Sequence, residues 1–264
     1  MENGKKNTNT IVIKIGGSTL GESDSSLSDI IKFSKEDISP IIVHGGGKEI
    51  NKWIAKQGIH PEFLNGLRRT DKDTRDVAVA VLSGLINNTI VSEIQNLGGN
   101  ATGLSGISNS LFECKLFSKE LGYVGEIIKV NSEILKKIIN SDSIPVIAPL
   151  GINIYSDKTE DNILNINADT AASFISNKMK SEKIIFLTDV EGILDHNKRL
   201  ISKITKSQAN ELLKSGIISG GMIPKVEACL NGIQNGGTAH IIDGRDSGAL
   251  LQCIKNKIIG TKII

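Results

Sequence analysis

Several residues in this sequence break local rules in ways that suit the handling of anions. Lys14 interrupts the apolar run Ile11-Val12-Ile13-Lys14-Ile15, two residues before Gly16-Gly17. A lysine in a buried strand is costly unless it is paired or placed at a site. A lysine on an edge strand facing water is the competing reading. Lys225 follows Pro224 in the first turn of a helical pattern, where a positive charge has the wrong sign for the helix dipole. Lys48 breaks the same rule and reads as solvated. Asn165-Ile166-Asn167-Ala168-Asp169 is a further cluster. Asn167 is a suitable N-cap and Asp169 falls in the first turn, so capping alone could account for both. It does not account for Asn165. Arg68 and Arg69 precede a long helical pattern. One of them can clamp a carboxylate in a bidentate fork, while the other faces water.

Glycine clusters frame these side chains. Two apolar runs end in Gly16-Gly17 and in His44-Gly45-Gly46-Gly47. Glycine lets a backbone approach an anion closely, and N–H groups at helix starts carry partial positive charge. Two such strand-terminal clusters early in one chain point to an anion site rather than to turns alone. The common nucleotide motifs are absent. A P-loop needs Lys-Ser or Lys-Thr after its last glycine, and the dinucleotide fingerprint needs a third spaced glycine. Gly47-Lys48-Glu49-Ile50 supplies neither.

The elements that must position these groups follow from hydrophobic pattern. Short apolar runs at Ile11–Ile15, Pro40–Val43, Ile144–Leu150, Lys183–Leu187 and Ala239–Ile242 predict strands buried on both faces. Helical patterns lie between them at Glu49–Gln57, Asp71–Leu97, Ala168–Met179, Lys206–Ser215 and Pro224–Gln234. The alternation predicts an α/β fold with a mainly parallel sheet covered on both sides. Leu111–Val130 and Asn153–Ile166 read instead as hairpins, the second with a polar turn at Ser156–Asn162. The strand-helix pattern restarts near Ser176–Glu182, which sets a lobe boundary there: 1–177 and 178–264.

Composition limits the function. The chain has 264 residues, with 31 basic against 29 acidic side chains and a formal charge of +2. That balance excludes an electrostatic nucleic-acid binder, and 3% aromatic content argues against base stacking. No apolar run approaches the ~18 residues of a membrane span. Met1–Thr10 is polar and lacks the apolar core of a signal peptide, so a cytoplasmic location is expected. Cys114, Cys229 and Cys253 are widely spaced and read as reduced, mostly buried thiols.

The ordered blocks IVIKIGG, IIVHGGGKEI, NGLRRTD, GLSG, GYVGEI, LNINADTAA, LTDVEGIL, GGMIPKVEAC, HIIDGR and IGTKII give the chain from Ile11 to Ile264 a resemblance to the amino acid kinase family. Within the family it is most similar to members that phosphorylate N-acetyl-L-glutamate in arginine biosynthesis. The resemblance implies a three-layer αβα sandwich, with the acyl amino acid in the N-terminal lobe and ATP in the C-terminal lobe. It implies ATP and Mg²⁺ as cofactors, with the metal on phosphate oxygens and no protein ligand. Carried over position by position, Lys14 and Lys225 would stabilise the transferring phosphoryl group and Asp169 would orient them. Gly46, Gly47, Arg68 and Asn165 would hold the substrate. Gly16, Gly17, Asp189, Val190, Glu191, Gly192, Ile193, Leu194, Ile217, Ile218 and Ser219 would line the nucleotide. A carboxylate acceptor is already ionised, so no general base is needed. His60, His196 and His240 are then structural by default, and His44 is the possible exception from its place in the loop.

Some positions depart from the family pattern. GLSG is followed by Ile107-Ser108 where Lys-Asp is common, and DGR by Asp246-Ser247-Gly248. Lys257-Ile258 stands where an acidic residue is usual, and only Met1–Thr10 precedes the first strand. These departures predict a homodimer without arginine feedback. The rival readings are a kinase for carrier-linked α-aminoadipate or glutamate, and a non-catalytic amino-acid sensor.

Overall fold

The computed structural model describes residues 9–16, 25–64, 66–156, 162–233 and 236–264. Most of the polar N-terminal stretch, Gly17, and most of the polar turn after Ser156 lie outside the described residues. In chain order the elements are β1 (Asn9–Ile15), α1 (Ser25–Ser34), β2 (Ile38–His44), α2 (Gly47–Ala55), β3 (Phe63–Leu64), β4 (Leu67–Arg68) and α3 (Lys72–Val79). A π-helical segment (Ala80–Ile86) joins α3 to α4 (Asn87–Asn96). Then follow β5 (Ala101–Ser105), β6 (Phe112–Leu116), β7 (Gly125–Val130), α5 (Glu133–Asn140), β8 (Ile144–Ala148), β9 (Leu150–Asn153), β10 (Ile163–Asn165) and α6 (Ala168–Met179). The last part holds β11 (Lys183–Thr188), β12 (Lys203–Ile204), α7 (Lys206–Lys214), α8 (Met222–Gly232), β13 (Thr238–Asp243), α9 (Ala249–Ile254) and β14 (Thr261–Ile263).

Eight strands form the main sheet in the order β12-β14-β13-β11-β1-β2-β8-β5. All neighbours run parallel except β13 and β14. Strands from the first part of the chain lie on one side of β1, and strands after β11 lie on the other. The order therefore reverses at the β1–β11 pair. In an open parallel sheet the crevice beyond the carboxyl ends at such a switch point is where ligands bind. Ile15 pairs with Leu187 there, and Gly16 donates its N–H to the Leu187 carbonyl at 3.2 Å.

Strand periodicity decides which way Lys14 points. Ile11, Ile13 and Ile15 join one core with α1, α2, the long helix and α9. Val12 joins the opposite core, with α6, α8 and the second sheet. Lys14 shares the parity of Val12, so it faces α6. Both strand faces are buried and covered by helices, which makes the architecture a three-layer αβα sandwich.

The apolar run Ile144–Leu150 is a correction to the single strand expected there. It contains two strands in different sheets, β8 and β9, with Pro149 between them. Proline has no N–H to donate, so the ladder stops at it. The second sheet has the order β10-β9-β6-β7; β6–β7 is the antiparallel pair expected from the first hairpin pattern, and β10 pairs antiparallel with β9, which starts before the Asn153 expected for the second. Helix α8 starts at Met222, two residues before the predicted start. Pro224 is tolerated because first-turn N–H groups have no intrahelical acceptor.

The helical pattern expected at Asp71–Leu97 is present as one continuous helix, Lys72–Asn96. It is long enough, and over its most apolar 18-residue window apolar enough at a mean hydropathy of 1.6, to match a membrane span by those measures. Polar residues such as Ser83, Asn87 and Asn88 interrupt its apolar runs, so no single run showed this. Val77, Val81, Leu82, Ile86, Ile90 and Ile94 are buried in the core beside β1 and β2.

Candidate active site

The cleft that brings the sequence-predicted residues together has a volume of about 250 Å³ and lies against the ends of β1, α2, α6 and α8. Its lining includes Lys14, Gly46, Gly47, Arg68, Asn165, Asp169 and Lys225. That lining holds three cations, Lys14, Arg68 and Lys225, and one carboxylate, Asp169, among the described residues.

That carboxylate is shared. Lys14 Nζ lies 2.9 Å from Asp169 Oδ1, and Lys225 Nζ donates to Asp169 Oδ2 at 3.0 Å. Lys14 and Asp169 are both buried, at 7% and 4% exposure. Burial alone would push the Asp169 carboxyl pKa up. The charges and hydrogen bonds of Lys14 and Lys225 outweigh burial and hold it below its ordinary value. Asp169 is placed by an ordinary local device. Asn167 Oδ1 accepts the Thr170 N–H at 2.9 Å and so starts α6. Helix α6 packs on β1 and on α8, which brings the three ionic groups to one point.

The glycine loop supplies a second set of donors. Gly45 donates to the Ile15 carbonyl at 2.9 Å, which ties the loop to β1. Gly46 is the N-cap of α2 and provides no side-chain acceptor. First-turn N–H groups have no partner within a helix, so this end is open to an anion. A Cβ on Gly46 would lie 2.6 Å from both Leu82 Cδ2 and Ile86 Cδ1. Gly46 is thus needed for helix packing, whereas Gly47 is exposed at the cleft.

His44 anchors the same loop. It is fully buried, and burial lowers its pKa to about 4, although its contact with Gly45 opposes the shift. Its Nδ1 is 3.0 Å from the Gly45 carbonyl, and its Nε2 is 3.1 Å from Asn87 Nδ2. A carbonyl can only accept, so the hydrogen-bond network assigns the ring proton to Nδ1 and leaves Nε2 to accept.

The two arginines separate. Arg69 is exposed and pairs with Glu62 at 2.7 Å. Arg68 is buried, lies 4.8 Å from the centre of the Phe63 ring, and donates through Nη2 to the Gly47 carbonyl at 3.2 Å. Its Nη1 is buried and has no hydrogen-bond partner among the described residues. Burial lowers the guanidinium pKa, but it stays protonated at neutral pH. A buried cationic donor without an acceptor, on the wall of a cleft, can take a carboxylate.

Asn165 donates through Nδ2 to Thr70 Oγ1 at 3.3 Å, and Thr70 in turn donates to the Arg68 carbonyl at 2.9 Å. Sequence reasoning did not single out Thr70. Its signal is weak, a hydroxyl just before Asp71, the residue that caps α3 by accepting from Thr74 N–H at 2.8 Å.

The remaining predicted residues that the structure describes do not line this cleft. Asp189, Val190, Glu191, Gly192, Ile193 and Leu194 follow β11, where Thr188 Oγ1 donates to the Val190 carbonyl at 2.9 Å. Ile193 N–H donates to Thr261 Oγ1 at 2.8 Å, fixing that loop to β14. Ile217 and Ser219 are exposed and Ile218 is buried, just before α8. Gly16 lies beside this segment with its N–H already committed to Leu187. The three cysteines are free and buried, and burial raises the Cys114 and Cys253 thiols to about 12.

Residues 9–243 match the amino acid kinase family. An acetylglutamate kinase of Clostridioides difficile is 41% identical over 263 residues, covering 96% of this chain and 90% of that protein. An acetylglutamate kinase of Campylobacter fetus is 44% identical over 260 residues, with 96% and 90% covered. Among solved structures, smu.665 from Streptococcus mutans superposes with a TM-score of 0.82 at 30% identity, covering 96% of this chain and 98% of that one.

Proposed function

Because the chain belongs to the amino acid kinase family, we propose that it transfers the γ-phosphoryl group of ATP to the γ-carboxylate of N-acetyl-L-glutamate. The product is N-acetyl-L-glutamyl 5-phosphate, an intermediate of arginine biosynthesis. The observation that carries this reading is the Lys14–Asp169–Lys225 bridge, set in one cleft with the unpartnered Nη1 of Arg68.

The reaction joins two anions. The bond between the γ-phosphorus and its bridging oxygen breaks, leaving ADP, and a bond from a carboxylate oxygen to that phosphorus forms. No proton has to leave the acceptor. Catalysis therefore rests on in-line placement and on positive charge around the equatorial oxygens. Lys14 and Lys225 supply that charge. Asp169 fixes both ammonium groups and cancels only one of them, so the pair remains cationic. The open N-terminus of α2, at Gly46 and Gly47, adds N–H donors on the same side. Arg68 takes the α-carboxylate, and Asn165 helps to seat the acyl amino group.

In this reading residues 1–177 hold the acyl amino acid and residues 178–264 hold ATP. Asp189–Leu194 and Ile217–Ser219 would line the nucleotide, and Gly16 would touch it through its backbone. Mg²⁺ would supply further positive charge on the phosphates. Asp169, the one acid in the cleft lining, is already bonded to two lysines and does not fit as a metal ligand. Phosphate oxygens and water then complete the coordination. The active form is a homodimer in the cytoplasm.

A hydroxylamine trap of the acyl phosphate tests the assignment. With ATP and Mg²⁺, N-acetyl-L-glutamate should give hydroxamate at a rate well above glutamate, aspartate or α-aminoadipate. Equal or higher rates with an unacetylated acid would overturn the substrate, and no hydroxamate with any acid would overturn the activity.

A further inference from the structure

Thr70 has no contact with the cleft, yet its hydrogen bonds decide what the cleft shows to a ligand. It is fully buried, at 0% exposure. Its backbone is pinned on both sides: its N–H donates to the Leu121 carbonyl at 2.9 Å, and its carbonyl accepts from Tyr123 N–H at 2.7 Å. Gly122, between those partners, has φ of +68°, and a Cβ there would meet the Thr70 carbonyl oxygen at 2.3 Å. The hydroxyl is therefore held in one place.

Its proton has one destination. The Arg68 carbonyl is only an acceptor, so the Thr70 hydroxyl must donate to it, at 2.9 Å. The hydroxyl oxygen is then left to accept. The side chain 3.3 Å away, Asn165, must turn its NH₂ toward Thr70. Asn165 Oδ1 has no hydrogen bond among the described residues and is not a buried unsatisfied atom, although Asn165 lines the cleft. That oxygen opens to the ligand.

We propose that Thr70 is a positioning residue that locks the Asn165 side-chain amide with its oxygen toward the cleft, where it accepts the N–H of the substrate's acylated α-amino group. The proposal rests on the kinase reading given above. Beside the donor Arg68 Nη1, the Asn165 oxygen completes a donor–acceptor pair. An N-acyl amino acid presents the complementary pair on its α-carbon, one carboxylate that accepts and one N–H that donates. Without the Thr70 hydroxyl the Asn165 amide can rotate and show a donor instead, and the preference for an N–H is lost.

The experiment compares N-acetyl-L-glutamate with its ester isostere, 2-acetoxyglutarate, in which oxygen replaces the α-N–H. A site that hydrogen-bonds an N–H rejects an analogue lacking it, because its own polar group is left unpaired. The wild-type enzyme should favour the amide by about 30-fold or more in kcat/KM. Thr70→Val should reduce that preference to within about threefold, mainly through KM, and Thr70→Ser should restore it. A Thr70→Val enzyme that keeps the full preference overturns the role of Thr70. If Thr70→Val does not fold, the wild-type comparison decides: a preference for the amide supports the inward-facing oxygen, and equal use of both substrates overturns it. Turnover of neither compound refutes the kinase reading itself, an outcome distinct from a wild-type enzyme that turns over both equally.

Discussion

Asp169 accepts a hydrogen bond from Lys225 at 3.0 Å, although the two residues open different helices, α6 and α8. The same carboxylate holds Lys14 from the central strand. One acid thus sets the spacing of two cations, and neither cation has to find its own place.

Replacement of either lysine should therefore act on the chemical step. Lys14→Ala and Lys225→Ala should each lower kcat by ~10²–10³, the loss seen when one preorganised transition-state donor is removed. The change in KM for ATP should be smaller. Steady-state kinetics with both substrates varied checks this, and near-normal kcat in either variant would refute the assignment.

The shared carboxylate also gives an acid limit to stability. Its folded pKa is held below the ordinary value of 3.8. A depressed carboxyl contributes stability that is full above the unfolded value and is lost as pH falls through the folded one. Chemical denaturation between pH 5 and pH 2 should show this loss, and Asp169→Asn should be less stable at pH 7 and flatter over that range. A variant with the wild-type profile would show that the bridge does not stabilise the fold.

Arg68→Ala should raise KM for the acyl amino acid by about 10- to 100-fold, the equivalent of losing hydrogen bonds to a charged group. The buried Nη1 has no other partner to lose among the described residues, so the fold should tolerate the change better than a break in an internal pair. Arg68→Lys should not rescue it, because an ammonium cannot reproduce the fork. An unchanged KM would count against the clamp.

Adjacent glycines should respond differently to the same methyl group. Gly46→Ala drives a Cβ into Leu82 and Ile86 and should cost about 1–3 kcal/mol of stability. Gly47→Ala meets only Arg68 Nη2, at 3.7 Å, which is ordinary contact. It should melt like the wild type while kcat/KM falls, because the methyl group narrows the approach to the helix end. Paired melting and kinetic measurements separate the two.

Two buried histidines should shape the profile at milder pH. Burial brings the pKa of His44 and of His240 to about 4, against an ordinary value of 6.5. Between those values the unfolded chain binds the extra protons, so stability should fall as pH drops from 6.5 toward 4. Each group contributes roughly 3 kcal/mol. His44→Gln should remove about half of this dependence. Denaturant titrations at pH 4.5 and pH 7 check it, and an unchanged difference would show that His44 does not supply it.

Much of this site was legible because it breaks rules within single segments. Lys14 stands out in an apolar strand, and Asn165 stands out because capping explains its neighbours but not itself. The strand runs around them were equally plain, since both faces of β1 and β11 are buried and their sequences are almost wholly apolar. What the residues' own chemistry could not show were relations between distant segments. The sharing of Asp169 by two lysines was reached only by resemblance, because it depends on how α6 packs on β1 and α8. The fate of the Gly16 N–H depends on the β1–β11 register. The division of Ile144–Leu150 between two sheets depends on where β6 runs. Thr70 was invisible because its role also needs Asn165, Leu121 and Tyr123, which lie far along the chain. The nucleotide-side residues were reached by resemblance alone, and their own chemistry gives no comparable signal.

The seating of β1 between β2 and β11 has a consequence for how the molecule is made. During synthesis the strand carrying Lys14 leaves the ribosome first of the sheet strands, and β2 soon follows to cover one of its edges. Its other edge stays bare until β11 emerges, and the ammonium waits nearly as long for α6. Pairings between such remote segments slow folding, since a long loop must close before any contact rewards it. The nascent chain thus carries the Lys14 ammonium without the Asp169 counter-charge until α6 is made, and only the arrival of β11 makes the central strand whole.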